Sequence, residues 1–155
     1  MTTKAERRSA PRAGRESRHQ AREAALQMLY QWEVGHASLP EVVRTFWLHD
    51  HPPASTLSDD YRAFAERLAA GVTEHVGTLD PVIAEAAEHW RLERMNVLDR
   101  LILRLAVFEF VHEPGTPSRV IINEALELAR TFSNDEAVRF INGLLDAIRR
   151  RLQRE

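Results

Sequence analysis

The fold is decided by one stretch of the chain, Val97-Leu-Asp-Arg-Leu-Ile-Leu-Arg-Leu-Ala-Val-Phe-Glu-Phe-Val-His112. Its apolar residues cover nearly every direction around a helix, and a helix that is apolar almost all round is buried on most sides. With about 16 residues, several of them charged, the stretch does not meet the requirements of a membrane span. We therefore expect a buried central helix over 97–112, with Asn96 as its N-cap.

Two helices are expected downstream of this stretch. Residues 119–131 carry one apolar stripe at helical spacing, and a second stripe runs from Ala137 to Ile148. Ser133-Asn-Asp-Glu136 reads as a capping box at the start of the second helix. The 3.6-residue pattern continues through Asn142-Gly143, so we expect no hairpin there. Because glycine weakens a helix interior, we expect a close helix contact at Gly143.

Upstream of the central stretch, the pattern predicts four more helices. They cover about Arg15 to Val34, a short segment after Ser38, Ser58 to Gly77, and a segment that Asp80-Pro81 begins and that ends near His89. No strand-period alternation is visible. The fold class is therefore all-α, with about seven helices and short connections.

The composition favours one domain. The 155 residues have no cysteine, which excludes disulfides, thiolate metal sites and cysteine nucleophiles. We expect residues 1–14 to form a disordered basic arm and residues 15–155 a single helical domain. The N-terminus lacks the apolar segment of a secretory signal, and a reducing cytoplasm is the default compartment.

The net charge of −2 conceals cations at both ends of the chain. Residues 1–22 carry seven cations against two acids, and Arg149-Arg150-Arg151 ends the last helix. Cations at a helix C-terminus favour the helix dipole, so the second group has a structural explanation. The stripe of Arg15, Arg18, His19 and Arg22 opposes the dipole of the first helix. A polyanionic partner is the natural explanation of that stripe, the alternative being a solvated arm without a partner.

Two features of the sequence have residue types found in metal-binding or catalytic sites. His49-Asp-His51 has zinc-ligating residue types, but it precedes two prolines in a loop, and we interpret it as an ordinary polar loop without metal. Glu109 is the exceptional acid, because it lies on the mostly buried helix, roughly opposite Arg100. It is interpreted as a carboxylate paired with an arginine, with partner contact and acid–base catalysis as the alternatives. We expect neither enzymatic activity nor a cofactor.

Three segments together resemble the NusB family of transcription antitermination factors. They are Arg18-His-Gln-Ala-Arg-Glu-Ala-Ala-Leu-Gln-Met-Leu-Tyr30, Leu98-Asp-Arg-Leu-Ile-Leu-Arg-Leu-Ala-Val-Phe-Glu109, and Pro117-Ser-Arg-Val-Ile-Ile-Asn-Glu-Ala-Leu-Glu-Leu-Ala129 with Phe132 and Arg139-Phe-Ile-Asn-Gly-Leu-Leu-Asp146. The resemblance covers about 15–150. It implies two packed helical bundles and a non-enzymatic role.

The resemblance also implies partners. NusB-like proteins bind the boxA element of nascent RNA as a heterodimer with the small ribosomal protein NusE. The pair joins other Nus factors on RNA polymerase and supports antitermination in ribosomal RNA operons. Alone, NusB-like proteins occur as monomers or homodimers, and the sequence does not choose between these states.

By position, the resemblance assigns two surfaces. The RNA face would comprise Arg18, His19, Arg22 and Gln27 on the first helix and Arg130, Phe132, Glu136 and Arg139 near the junction of the last two helices. Because the family often has consecutive arginines where this chain has Arg18-His19-Gln20, we expect Arg12 and Arg15 to contribute as well. Asp99 and Arg100 would face the ribosomal partner. Phe132 also has an ordinary interpretation as the last core residue of its stripe.

Two other classes of function were compared with this one. A NusB-like module also precedes an RNA cytosine methyltransferase domain, which needs a catalytic cysteine that this chain lacks. A helical protein-interaction module without RNA affinity of its own is the remaining alternative.

Overall fold

The computed structural model describes residues 4–49, 59–88 and 91–155, without the side chains of residues 4–16, His49 and Asp59. This part of the chain contains six α-helices and one short 3-10 turn. In chain order these are α1 (Lys4–Gly35), α2 (Leu39–His49), α3 (Asp59–Ala87), the turn (Leu92–Arg94), α4 (Val97–His112), α5 (Ser118–Phe132) and α6 (Asp135–Arg151).

Helix α4 is the centre of the fold, as its apolar circumference predicts. Every residue from Leu101 to Phe110 is buried. Its four packing partners are α1, α3, α5 and α6. Asn96 is the N-cap, because its side chain accepts a hydrogen bond from the Leu98 amide at 2.9 Å. These observations confirm the prediction for 97–112.

The described helices form two groups. Helices α1, α2 and α3 contact one another, and so do α4, α5 and α6. The buried apolar side chains of both groups form one continuous core. The all-α fold class is confirmed.

The predicted third and fourth helices are one helix, so the expected count of seven is corrected to six. Helix α3 continues through Gly77 and Pro81 to Ala87. A proline inside a helix leaves the carbonyl four residues earlier without its amide donor. Here that carbonyl belongs to Gly77, and both residues are exposed, so water can satisfy it. Leu79 and Ile83 on the opposite side are fully buried and hold the two halves in line.

The first helix also begins earlier than expected. We expected it to start near Arg15, whereas α1 starts at Lys4 and includes most of the predicted disordered arm. Residues 4–14 contain three alanines and three arginines, which have high helix propensity. Residues 1–3 of the predicted arm lie outside the described residues.

The close contact expected at Gly143 is absent from the structure, and Gly71 has one instead. A β-carbon at Gly143 would have no heavy atom within 4 Å beyond its own helix backbone and chain neighbours. A β-carbon at Gly71 would lie 2.1 Å from Cζ of Phe108. The glycine that lets two helices approach is therefore on α3, where it makes room for an α4 side chain.

Candidate nucleic-acid interface

The exposed cationic surface on α1 begins at Arg18 in the part of the chain whose side chains are described. The Arg18 guanidinium is exposed and lies over the ring of Phe64, a buried residue of α3, with Cζ 4.5 Å from the ring centroid. Such stacking fixes the plane of a guanidinium while leaving its N–H groups free to donate. Arg12 and Arg15 precede it on the same helix, and their side chains lie outside the described set.

The Phe64 ring orients two further arginines. The Cζ atoms of Arg22 and Arg67 are each 5.2 Å from its centroid. The three cations differ in how their charge is balanced. Arg67 is exposed and donates from Nε to Oε1 of Glu113 at 2.7 Å. Arg18 has no ion pair with a carboxylate in the described part of the chain.

Arg22 is inside the protein. Its Nη2 donates to Oε1 of Glu109 at 2.8 Å and its Nε donates to Oε2 at 3.0 Å. The two side chains are only 4% and 3% exposed. The interpretation of Glu109 as a carboxylate paired with an arginine is therefore confirmed. The arginine is Arg22, from α1, and Arg100 is engaged elsewhere.

His19 lies between two carboxylates at the side of this surface. Its Nδ1 is 2.6 Å from Oε2 of Glu124 on α5, and its Nε2 is 2.9 Å from Oε1 of Glu23 on α1. Burial by itself lowers the pKa of His19, but the hydrogen bonds and charges of Glu124 and Glu23 outweigh it, and the pKa is raised above 6.5. Protonated His19 is the form that satisfies both carboxylates.

The remaining residues assigned to the RNA face lie further along the molecule. Gln27 is half-buried on α1. Arg130 is exposed and pairs with Glu127 at 2.5 Å, while Phe132 is half-buried and packs against the core. Glu136 and Arg139 are exposed on the first turns of α6. Arg130 is six residues beyond Glu124, about 9 Å along α5 at 1.5 Å per residue. The two halves of the predicted face therefore lie at different levels of α5.

The two residues assigned to the protein partner both make contacts inside the fold. Asp99 accepts a hydrogen bond from Oγ of Ser133 at 2.8 Å. Arg100 donates to Oε1 of Glu33 at 2.8 Å and to the carbonyl of Leu92 at 3.2 Å. Asp99 remains partly exposed, and the Arg100 side chain is 13% exposed. They hold the start of α4 against α1 and the α5–α6 junction.

The C-terminal arginines have carboxylate partners within the chain. Arg149 and Arg150 both donate to the carboxylate of Asp146. Arg151 pairs with Glu85 of α3 at 3.6 Å and with Glu88, just after α3, at 3.4 Å. This second group of cations is therefore largely neutralised in place.

Two groove cations were missed by the sequence analysis. Arg67 and Arg119 line the same open groove as Arg18, between α1, α3 and the start of α5. Arg119 lies in the first turn of α5, where a cation opposes the helix dipole. The same signal was used for the cations of α1, but this interpretation is corrected: α1 begins at Lys4, so Arg15 to Arg22 lie past its first turn, beyond the range of the dipole. Arg67 has no comparable signal, because it lies in mid-helix.

Metal and membrane sites were also sought. Among the described residues, no cluster of three or more metal-ligating side chains occurs. The His49-Asp-His51 side chains lie outside that set. No described helix is both long enough and apolar enough to cross a bilayer.

The fold is shared with solved structures of antitermination proteins. T. maritima NusB superposes with a TM-score of 0.77 at 30% identity, over 86% of this chain and 90% of that one. A crystal structure of the antitermination factors NusB and NusE in complex with double-stranded RNA superposes with a TM-score of 0.77 at 22% identity, over 88% of this chain and 98% of that one. The architecture is thus that of an all-helical antitermination factor.

Sequence comparison assigns the family. A profile of the NusB family matches residues 19–150. The transcription antitermination protein NusB of Koribacter versatilis is 45% identical over 139 residues, which are 90% of this chain and 92% of that protein. The NusB protein of Solibacter usitatus is 44% identical over 140 residues, 88% and 90% of the two chains. This chain belongs to the NusB family of transcription antitermination proteins, which is a non-enzymatic family.

Proposed function

We propose that this protein binds boxA-type single-stranded RNA in nascent ribosomal RNA transcripts, together with the ribosomal protein NusE. The observation that carries the proposal is the exposed Arg18 of α1, whose guanidinium lies over the Phe64 ring without a carboxylate partner among the described residues. Single-stranded RNA is bound by cations that track its phosphates and by planar groups on which its bases stack. A guanidinium on a fixed plane serves both purposes.

The proposal changes the role of one residue. Arg12, Arg15, Arg18, Arg130 and Arg139 are proposed to contact RNA directly. Arg22 is proposed to act through the fold, because its guanidinium is buried against Glu109. A structural relative with this fold was crystallised as NusB and NusE with double-stranded RNA, which supports RNA as the ligand class.

The proposed NusE surface is centred on the start of α4. Asp99 is partly exposed there, and the mostly buried Arg100 is bound to Glu33 of α1. Tyr30 and Val34, on either side of Glu33 in sequence, are 42% and 50% exposed. Exposed apolar side chains beside a polar rim are typical of a protein-binding surface. In the cell, the pair would join other Nus factors on RNA polymerase, in the cytoplasm.

An electrophoretic mobility assay tests this function. The protein is titrated against boxA RNA and a scrambled RNA of equal length, each with and without NusE. We expect preferential retardation of boxA RNA and tighter binding when NusE is present. No retardation of boxA RNA, with NusE retained on the protein in a pull-down, would instead indicate a protein-interaction module without RNA affinity.

A further inference from the structure

A groove beside Arg18 is a large concave feature of the described surface, and it extends beyond the predicted RNA face. It has a volume of about 870 Å³ and lies between the Arg18–Arg22 segment of α1, α3 and the start of α5. Its polar lining consists mainly of Arg18, Arg67, Glu113, Arg119, Asn123 and Glu124. A second cleft of about 410 Å³ shares Arg18 and Arg67 with it and continues between α1 and α3. Together they form an open track along one side of the molecule.

The charge of the groove is positive and partly unbalanced. Glu113 neutralises Arg67, and Glu109 neutralises Arg22 beneath the floor. Arg119 is exposed and forms no ion pair with any carboxylate of the described chain. Arg119 and Arg18 therefore provide two guanidinium groups in the groove that can donate hydrogen bonds to phosphate oxygens.

The start of α5 adds backbone donors to these cations. The first turn of α5 contains no acidic residue, and its N-cap, Pro117, provides no side-chain cap. The first amides of a helix lack partners within the helix and carry a partial positive charge. Pro117, Arg119 and Val120 line the groove, so the first turn of α5 borders it, although Ser118 is buried and the Val120 amide already donates to the Pro117 carbonyl at 3.0 Å.

We propose that this groove binds the sugar–phosphate backbone of the same RNA, with phosphates on Arg18, Arg119 and the first turn of α5. The proposal rests on the proposed RNA-binding function and extends the predicted face from Arg18 to Arg119 and the start of α5. An open track lined by arginines suits a chain of phosphates, because successive cations can each neutralise one. Arg67, held by Phe64 and Glu113, positions the wall opposite α5.

Arg119 is the residue that tests the groove, because no family motif assigned it to the RNA face. Fluorescence anisotropy with labelled boxA RNA and saturating NusE would compare Arg119→Gln, Arg119→Lys and the wild type from 50 to 300 mM salt. Arg44→Gln, which removes an exposed arginine of α2 outside the groove, is the matched control. A thermal melt checks that each variant is folded.

Each phosphate contact contributes about −0.7 to the log–log salt slope for a single strand. Loss of one contact should thus weaken binding about fivefold at 0.1 M salt. We expect Arg119→Gln to show this loss and a slope flatter by about 0.7, with Arg119→Lys close to wild type and Arg44→Gln unchanged.

The outcomes distinguish failure of the groove proposal from failure of the proposed RNA-binding function. If the wild type binds boxA RNA while Arg119→Gln matches the Arg44→Gln control, the groove proposal is overturned and the RNA-binding function stands. If Arg119→Lys is as weak as Arg119→Gln, the effect is not one of charge, and the backbone contact is again rejected. If the wild type binds no boxA RNA with or without NusE, both proposals fail.

Discussion

Arg22 of α1 and Glu109 of α4 form a two-pronged ion pair, with N···O distances of 2.8 and 3.0 Å, inside the core. The pair joins the helix that carries the exposed arginines to the central helix of the fold. Its geometry sets where Arg18, one turn earlier, meets Phe64 and the groove. The family resemblance assigns Arg22 to the RNA face, but its guanidinium is buried. Arg22 therefore supports the candidate interface through the packing of α1 on α4.

Breaking this pair should cost stability. Removing one partner of a buried ion pair leaves an uncompensated charge, which typically destabilises a protein by about 3–5 kcal/mol. We expect Arg22→Ala and Glu109→Ala each to lower the free energy of unfolding by about that amount in a urea titration. The double variant Arg22→Met/Glu109→Leu should be more stable than either single variant. A near-neutral Arg22→Ala that instead flattened the salt slope of RNA binding would make Arg22 a direct phosphate contact.

The His19 cluster should make stability depend on pH. Since the folded-state pKa of His19 is raised above 6.5, its contribution is fully present below about pH 6.5 and is lost as the pH rises through the folded pKa. The melting temperature of wild type should therefore exceed that of His19→Gln most clearly in acid, and the difference should shrink in mildly alkaline buffer. Glu124→Gln should lower the pKa of His19 in an NMR titration. A pKa that Glu124→Gln leaves unchanged would contradict the assignment of Glu124 as the main partner.

Two glycines should respond in opposite ways to alanine. At Gly71 the added β-carbon would overlap the Phe108 ring, so we expect Gly71→Ala to destabilise the protein by about 1–3 kcal/mol. At Gly143 the β-carbon meets open space in an exposed helical position, so Gly143→Ala should stabilise by up to ~1 kcal/mol. Differential scanning calorimetry of both variants measures the effects. If both substitutions destabilised the protein equally, the contact between Gly71 and the Phe108 ring would not be the cause of the effect at Gly71.

Glu136 should weaken RNA binding through its charge. It is exposed in the first turn of α6, close in sequence to Arg130 and Arg139, and Asn134 caps the helix through the Ala137 amide at 2.8 Å. Removing the carboxylate leaves that cap intact, so Glu136→Gln should tighten RNA binding at low salt with little change in melting temperature. Glu74→Gln, at an exposed position of α3, is the control for a general change in net charge. Equal effects of the two substitutions would place the α6 turn away from the RNA.

The parts of the fold that could be predicted depend on local patterns. The apolar circumference of α4 and the cap at Asn96 are properties of consecutive residues, and the structure confirms both. The partner of Glu109 lies 87 positions away, and spacing along one helix cannot rank such residues. Gly71 and Gly143 illustrate the same limit, since only the packing of a neighbouring helix distinguishes them.

Local signals failed where two of them competed. Ser133 and Asn134 are both good N-caps, and we predicted Ser133, but its hydroxyl donates to Asp99 and the cap is Asn134. Asp80-Pro81 has the pattern of a helix start, yet the Asp80 carboxylate accepts two hydrogen bonds from Arg104 at 2.8 Å while α3 continues past it. The candidate interface was predicted from cations expected to oppose a helix dipole, but α1 begins at Lys4 and those cations lie past its first turn, and the pattern does not reveal that Arg22 is buried in the core.

A helix that is apolar on every side has little to fix its rotation or its position along its own axis, because many settings bury similar area. In α4 the rotation and the axial position are fixed by three salt bridges: Arg100 with Glu33, Arg104 with Asp80 and Glu109 with Arg22. A shift by one turn, about 5.4 Å, would break all three. Replacing them with apolar residues of similar size should therefore produce a helix that still collapses into the core but samples several registers, with broadened NMR signals before any loss of helicity.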